Sequence, residues 1–278
     1  MPSLSTVIVT FNSAATLPAC LEALRAHAPA ASGQIVVVDN ASHDSTAAIV
    51  ARDWPAVTLL RMEANLGFAA ANNRGIRATT GDRLLLVNPD AEVTPHAVDH
   101  LMAALDGDST VAIAGPRIVD VTGRAELSFG PHISPWAEAW QKLRVRGHEH
   151  GWPLIAASVD RDTHRPQYPD WVSGACWLAR RAVLEAAGFF DERFFLYTED
   201  VDLCARVRTA GHRVAFVPSA VVRHARGTSR ATARAAADLH YRRSQVAFYE
   251  KYHPRWAPLL RRYLMLKGAL PDTSKQQS

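Results

Sequence analysis

The sequence predicts an α/β protein built on a mostly parallel, doubly wound sheet, and three observations carry that prediction. Short apolar runs alternate with helical periodicities from the N-terminus to about residue 116. The connections between them are only a few residues long. Each apolar run is too short for a helix and closes on polar residues, as expected of strands buried on both faces with ligand-facing carboxyl ends. A length of 278 residues with 48% hydrophobic content suits one large domain, or a domain with a sizeable extension.

Residues 6–11 are the first β-rich run, which stops at Asn12-Ser13. Leu17, Leu21 and Leu24 then recur at three- and four-residue spacing, predicting a helix over 14–27 that Pro29 ends. Ile35-Val36-Val37-Val38 makes a second strand over 34–39 and closes on Asp39-Asn40. Ser42 or Asp44 is placed to cap a short helix over 45–52. Residues 57–60 read as a third strand, Asn65-Leu66-Gly67 as a turn, and 68–79 as an Ala- and Asn-rich helix stopped by Gly81. The run 84–87 lies between the turn signal Thr80-Gly81-Asp82 and Pro89. Proline cannot continue a ladder, so Asn88 and Asp90 stand side by side at the end of this strand. A helix over 95–105 and a strand over 111–114, ending at Gly115-Pro116, complete the alternation. Thr122-Gly123 at the centre of 119–127 predicts a hairpin.

From 130 to 170 the pattern fails. Trp136, Trp140, Trp152 and Tyr168 argue against disorder, so this stretch reads as an irregular, substrate- or lipid-facing insertion with helical pieces around 136–145. Order returns over 171–179, followed by a helix over 181–187 that Gly188 stops. Thr198 is a good N-cap for a helix over 199–210, which Gly211 terminates. Residues 214–217 and 220–222 are strand-like and close at His224. Helices over 231–252 and 255–266 and a polar tail over 271–278 follow. The expected division is a domain over 1–228 and a basic helical extension over 229–278, with no internal repeat.

Composition narrows the setting. The net charge is a modest +4, but from Arg223 onward Arg and Lys far outnumber Asp and Glu. Those cations form either a solvated helix face or a surface drawn to anionic lipid head groups. No stacking-aromatic motif or zinc spacing accompanies them, so no nucleic-acid partner is expected. Cys20, Cys176 and Cys204 are odd in number, widely spaced and set in apolar patterns, which reads as buried thiols of a reducing compartment. There is no signal-peptide h-region, and no apolar run approaches the roughly 18 residues of a membrane span. The expected location is the cytoplasm, with peripheral contact at the inner face of the cell membrane.

Three polar groups fall at strand ends on one edge of the sheet: Thr10-Phe11-Asn12, Asp39-Asn40 and Asn88-Pro89-Asp90. Such a row can hold a nucleotide. The first turn has no glycine, and there is no Gly-x-x-x-x-Gly-Lys loop, so bound phosphate would need a metal and basic side chains. A carboxylate beside an amide oxygen suits a hard divalent cation; Asp90 can equally cap the helix begun by Thr94-Pro95. Glu199, Asp200 and Asp202 crowd the first turn of a helix, either as dipole partners or as a site for a general base, and Asp202 and Arg206 make an ordinary i,i+4 pair. His224 alone reads more readily as structural than as a ligand.

Seven motifs in order are similar to the inverting GT-A glycosyltransferases of family 2, especially their bacterial rhamnosyltransferase-like members, over residues 6–228. They are Val-Ile-Val-Thr-Phe-Asn-Ser (7–13), Val-Val-Asp-Asn-Ala-Ser (37–42), Asn-Leu-Gly-Phe-Ala-Ala-Ala-Asn-Asn-Arg-Gly-Ile (65–76) and Leu-Leu-Val-Asn-Pro-Asp (85–90). Val-Ser-Gly-Ala-Cys-Trp-Leu-Ala-Arg-Arg (172–181), Gly-Phe-Phe-Asp-Glu-Arg-Phe-Phe-Leu-Tyr-Thr-Glu-Asp-Val-Asp-Leu (188–203) and His224 follow. The resemblance implies a GT-A fold and a nucleoside diphosphate sugar donor. Thr10, Phe11, Asn12 and Asp39 would hold its base and ribose; Asn65, Gly67 and Asn72 or Arg74 would line ribose and diphosphate. Asp90 would ligate Mg²⁺ or Mn²⁺, with His224 as a further ligand. Asn88 stands where the family's Asp-x-Asp pattern has its first carboxylate, and its amide oxygen can still coordinate. Asp200 would be the catalytic base, Glu199 would bind acceptor or donor hydroxyls, and Trp171 and Gly174 would shape the acceptor pocket.

The implied reaction moves a sugar, with L-rhamnose from dTDP-rhamnose favoured, to a hydroxyl of a glycan or lipid-linked acceptor in cell-envelope polysaccharide synthesis. Inversion needs no enzyme nucleophile, and the chain has no evident Ser/His or Cys/His pair. UDP-linked hexose or N-acetylhexosamine donors share much of the pattern. A nucleotidyltransferase would carry a Gly-rich, Arg- and Lys-bearing loop after the first strand, which is absent. A non-catalytic nucleotide-sugar or anionic-surface binding protein is disfavoured because Asp90, Asp200 and His224 are all present.

Overall fold

The structure is a computed structural model and describes residues 3–28, 33–225 and 230–271. Its strands are β1 (Leu4–Thr10), β2 (Ile35–Asp39), β3 (Thr58–Arg61), β4 (Arg83–Val87), β5 (Ala91–Val93), β6 (Val111–Val119), β7 (Phe129–Gly130), β8 (Trp171–Val172), β9 (Cys176–Arg180) and β10 (Arg213–His224). The helices are α1 (Leu17–His27), α2 (Thr46–Asp53), α3 (Phe68–Arg77), α4 (Ala97–Gly107) and α5 (Pro135–Glu149). They continue with α6 (Pro153–Thr163), α7 (Arg181–Ala186), α8 (Glu199–Thr209), α9 (Arg230–Tyr252) and α10 (Ala257–Leu266). Among the described residues one eight-stranded sheet runs β3-β2-β1-β4-β9-β6-β10-β5, and β7 and β8 form a separate ribbon.

The expected mostly parallel sheet is present, and its core explains the apolar runs. Side chains alternate across each strand. Ile8, Val37, Leu85 and Val87 face a layer that contains Leu17, Leu21 and Leu24 of α1 and Leu101 and Leu105 of α4. Val7, Val9, Val36, Val38, Leu84 and Leu86 face the opposite layer, with Ala69 and Ile76 of α3 and Leu203 and Val207 of α8. Burying each such Leu or Ile contributes roughly 1.5–3 kcal/mol, which is why both faces of these strands are apolar. Gly75 lets α3 lie tight against the sheet, because a Cβ there would stand 2.4 Å from Val7 Cγ1.

Two strands run against the parallel set, and both matter for the site. β9 is antiparallel to β4, with Val87 opposite Cys176, so the residues just before β9 arrive at the carboxyl edge of the sheet. β5 is antiparallel to β10, with Ala91 opposite His224.

Several expectations change. Residues 91–93 form β5 instead of leading straight into a helix, and α4 begins only after His96 in a left-handed conformation. β6 continues through Gly115-Pro116 because β10 pairs with it on both sides of a bulge at Val217/Val221, where Pro218 offers no N–H. The two runs expected over 214–222 are therefore one bent strand. The hairpin over 119–127 is reduced to a tight turn closed by one bridge, Val119 to Ala125.

The stretch 130–170 is not irregular, since it holds α5 and α6. Ser134 caps α5 by accepting from the Ala137 N–H, and both helices start at a proline. The helical pieces expected around 136–145 are present as α5, whereas α6 is hidden in the sequence because exposed Trp152 and Leu154 blur its apolar face. α9 packs Phe248 and Tyr249 against Phe194 and Val201. The boundary at 228/229 and the tail beyond 271 lie outside the described residues.

Candidate active site

Parallel strands place their carboxyl ends together, so the loops after β1, β2 and β4 share one edge. The loop 11–16 is tied to the loop after β2. The Asn12 N–H donates to Ser42 Oγ at 2.9 Å, and Asn12 Oδ1 accepts from the His43 N–H at 2.8 Å. Asp44 accepts from the N–H of Thr46, so it, and not Ser42, serves the start of α2. Thr10 is fully buried and turns its hydroxyl to the Val38 carbonyl, while Phe11 meets the His43 ring edge-on. Asp39 is buried and accepts from the Ser42 N–H at 3.3 Å.

Asn40, the second member of the Asp39-Asn40 pair, latches the next loop. Its Nδ2 donates to Asn65 Oδ1 at 2.8 Å and its Oδ1 accepts from the Leu66 N–H at 2.9 Å. Gly67 sits at φ +85°, and a Cβ there would lie 2.5 Å from the Phe195 carbonyl, which accepts from the Phe68 N–H at 2.7 Å. Gly67→Ala is expected to lower stability by roughly 2–3 kcal/mol, read as a lower urea midpoint. An unchanged midpoint would mean that the turn yields without cost. Asn72 returns its amide to the Phe68 carbonyl within α3, and Arg74 is exposed. Asn73 does more than either: it donates to the Phe190 carbonyl and to Glu192, and accepts from the Phe190 N–H. That clamps α3 to the segment leading into α8.

At the end of β4, the Asn88 N–H donates to the Ala175 carbonyl at 2.8 Å, while its Oδ1 is buried without a hydrogen-bond partner. Asp90 does not cap a helix. Its Oδ1 lies 3.0 Å from His224 Nε2, and its backbone carbonyl accepts from the Ala225 N–H at 2.9 Å. On the other side, Glu126 Oε2 is 3.9 Å from His224 Nδ1. Burial opposes charging of His224, but the two flanking carboxylates outweigh it and push its pKa up to about 9. Glu126 carries no sequence signal as a site residue, because only the turn after β6 brings it back to β10.

Asp90, with the unsatisfied Asn88 amide oxygen, suits a hard divalent cation, and His224 adds a nitrogen donor once it gives up its proton. Among the described residues no three His, Cys, Asp or Glu side chains gather as a metal-holding group.

The base candidate stands beside this strip. Asp200 Oδ2 accepts from the Gly174 N–H at 2.7 Å and Oδ1 from the Val201 N–H at 2.8 Å. A Cβ on Gly174 would meet Asp200 Cβ at 3.3 Å, so glycine permits that approach. The next residue, Ala175, is the one that accepts from Asn88, so Asp200 and the Asn88–Asp90 corner are joined through two residues of the loop before β9. Burial raises the Asp200 pKa above the ordinary aspartate value. Glu199 is buried with Oε2 unpartnered, and burial together with neighbouring Asp200 raises its pKa well above normal.

Thr198 occupies the N-cap position, yet its hydroxyl makes no cap bond. Tyr197 and Thr198 both have positive φ, 69° and 67°, a strain of order 1–3 kcal/mol each that the packing around α8 must hold. Asp202 acts elsewhere. Fully buried, it binds Arg206, Lys251 and the Tyr252 hydroxyl at 2.6–2.8 Å and so ties α8 to α9.

Asp200 opens on a cavity of about 250 Å³ lined by Trp171, Tyr197, Val201 and Tyr241, with Glu138 and Lys142 of α5 at one side. Trp171 is held by its indole N–H, which donates to the Pro131 carbonyl at 2.8 Å. A carboxylate pinned by two backbone N–H groups at the wall of an apolar pocket can orient and deprotonate a hydroxyl placed there.

A sheet that gathers amide and carboxylate groups at one edge, with a half-buried carboxylate facing the adjoining pocket, is the arrangement of a GT-A glycosyltransferase. The chain belongs to glycosyl transferase family 2, whose model matches residues 5–187. It is 30% identical over 274 residues to the N-acetylglucosaminyl-diphospho-decaprenol L-rhamnosyltransferase of Mycobacterium tuberculosis, covering 87% of this chain and 86% of that protein. It is 24% identical over 182 residues to a low-salt glycan biosynthesis hexosyltransferase of Haloferax volcanii, covering 63% of this chain and 53% of that one.

Among solved structures, GalNAc-T7 with UDP, GalNAc and Mn²⁺ superposes with a TM-score of 0.64 at 18% identity, covering 88% of this chain and 48% of that one. The present chain thus spans about half of that protein. A mannosyltransferase from Pyrobaculum calidifontis in complex with GDP-Man and Mn²⁺ gives 0.61 at 19% identity, covering 94% and 68%. At such identities the likeness speaks for the fold.

Proposed function

We propose that this glycosyltransferase moves L-rhamnose from dTDP-rhamnose, with inversion, to a hydroxyl of a lipid-linked glycan acceptor in cell-envelope polysaccharide synthesis. The observation that carries the reading is Asp200, held by the Gly174 and Val201 N–H groups between the Asn88–Asp90 corner and the apolar cavity. The choice of sugar and acceptor leans on the rhamnosyltransferase relative, whose name specifies both.

In this reading the row Thr10, Phe11, Asn12, Asp39, Asn65 and Gly67, with Asn72 or Arg74, receives the nucleotide. The Thr10 hydroxyl is engaged by the Val38 carbonyl and the Asn72 amide nitrogen by the Phe68 carbonyl. Asp90, Asn88 and His224 would hold Mg²⁺ or Mn²⁺, and a cation bound there neutralises charge on the leaving diphosphate. Trp171 stacks along the acceptor, Glu199 binds a sugar hydroxyl, and Asp200 takes the proton from the attacking oxygen. The anomeric carbon–oxygen bond to the diphosphate breaks as the new glycosidic bond forms on the opposite face. A lipid-linked acceptor would bring the reaction to a membrane surface, and the inner, cytoplasmic face is the one proposed. No described helix is long and apolar enough to cross a membrane.

Thermal stabilisation by dTDP, UDP and GDP, each with and without Mn²⁺ or Mg²⁺, tests the donor half. A metal-dependent rise in melting temperature selective for dTDP is expected. A rise selective for UDP replaces the donor with a UDP-linked hexose or N-acetylhexosamine. No rise with any of the three overturns the strand-end row as a donor site.

A further inference from the structure

A second groove, of about 360 Å³, lies between α5, α9 and α10. Buried Tyr249 and Leu264 line it together with Trp256, Leu259 and Tyr263, which are about half exposed, at 46%, 60% and 56%. Leu259, Tyr263 and Leu266 follow one another at four- and three-residue spacing along α10, so this helix presents a continuous apolar stripe beside the charges of Arg261, Arg262 and Lys267. A stripe of that size is more than a solvated helix face needs.

What covers it is indicated by its neighbours. The groove shares Glu138 and Lys142 with the Asp200 cavity, so the two spaces meet at those side chains. Arg242 joins Lys142 in lining the groove. Glu138, the carboxylate at the junction, is already satisfied by Lys142 at 2.6 Å, by the Tyr249 hydroxyl at 2.9 Å and by the Gln245 amide. Moving outward from Asp200, a ligand therefore meets the aromatic walls of Trp171, Tyr197 and Tyr241, on which a sugar ring can lie, then two cations, then an apolar trough. An acceptor built as sugar, diphosphate and isoprenoid presents the same three chemistries in the same order.

We infer that the α5–α9–α10 groove seats the isoprenoid chain of a prenyl-diphosphate-linked acceptor, with Lys142 and Arg242 beside its diphosphate. This rests on the lipid-linked acceptor reading above and adds where the lipid lies. Lys142 leaves Glu138 for the diphosphate, and Glu138 keeps its bonds from Tyr249 and Gln245. A free anion would use the cations alone and leave the stripe bare. A second copy of the chain would cover the stripe but has no reason to align with the Asp200 cavity.

The test measures binding of geranylgeranyl diphosphate, geranylgeraniol and inorganic pyrophosphate to the full chain by calorimetry, below micelle-forming concentrations. Geranylgeranyl diphosphate is expected to bind at least tenfold more tightly than either of the others. The double change Leu259→Glu, Tyr263→Glu is expected to remove at least tenfold of that affinity, since both side chains are exposed and their replacement leaves the core untouched. Lys142→Ala is expected to erase the preference for the diphosphate over the alcohol. Nucleotide-induced thermal stabilisation, which reports the donor site, stays as in the unaltered protein for both variants.

Equal binding of geranylgeranyl diphosphate by the unaltered protein and both variants overturns the proposal. So does a dimer, seen by sedimentation, that the Leu259→Glu, Tyr263→Glu change dissociates. If the expected binding pattern appears but no prenyl-diphosphate-linked sugar accepts rhamnose, the groove stands and the acceptor assignment falls.

Discussion

Asp200→Asn retains nucleotide-induced thermal stabilisation and loses transfer by roughly 10²–10⁴-fold, the range a positioned general base contributes. The amide keeps the size of the side chain and its oxygen can still accept from the Gly174 N–H, although the amide nitrogen cannot replace the oxygen that accepts from the Val201 N–H, so the pocket keeps its shape at the cost of one of the two bonds. What disappears is the ability to take a proton from the acceptor hydroxyl. Near-normal transfer by this variant would sink the assignment.

The same group sets the pH response. Burial raises its pKa above the ordinary aspartate value, and the base works only when ionised. Transfer should therefore fall as pH drops through an inflection that lies above the usual aspartate range. A profile flat down to that range would mean that Asp200 is more solvated than the geometry indicates. Glu199 stays protonated to still higher pH, for burial and the neighbouring Asp200 charge both disfavour its ionised form. It is thus suited to donate a hydrogen bond to a sugar hydroxyl while Asp200 accepts one.

The second large effect is on stability. Asp202→Ala is expected to cost roughly 3 kcal/mol, because it removes the buried carboxylate that Arg206, Lys251 and Tyr252 share. The penalty stays at the low end for a broken buried pair because Lys251 keeps Asp191 and Arg206 keeps the carbonyls of Ala187 and Phe189. A fall in melting temperature of roughly 6–12 °C should accompany it. Unchanged melting would mean that the network is solvated and contributes little. Asp202 and Asp200 are two residues apart on α8, yet one anchors the helix and the other faces the pocket. Separate readouts, stability for one and transfer for the other, distinguish the two carboxylates.

The strand-end row is legible in the sequence because its logic is local. Each apolar run is buried on both faces, each ends in a polar pair, and short crossovers make the runs parallel, so Thr10-Phe11-Asn12, Asp39-Asn40 and Asn88-Pro89-Asp90 have to share an edge. The Thr-Glu-Asp-Val-Asp turn is legible as a helix start for the same reason, although which carboxylate faces the pocket is not. α5 is legible only in part and α6 not at all, since exposed Trp136, Trp140, Trp152 and Leu154 mask the helical period.

Burial period and short-range order thus suffice to establish the fold class, the polar row and the family from residue order alone. How distant segments meet that row is a matter of tertiary packing. The antiparallel course of β9 brings Gly174 to Asp200, and the pairing of β10 with β5 brings His224 to Asp90 and close to Glu126. Periodicity reports which residues are buried but not the direction or partner of a strand. Those are set by packing between segments far apart in the chain.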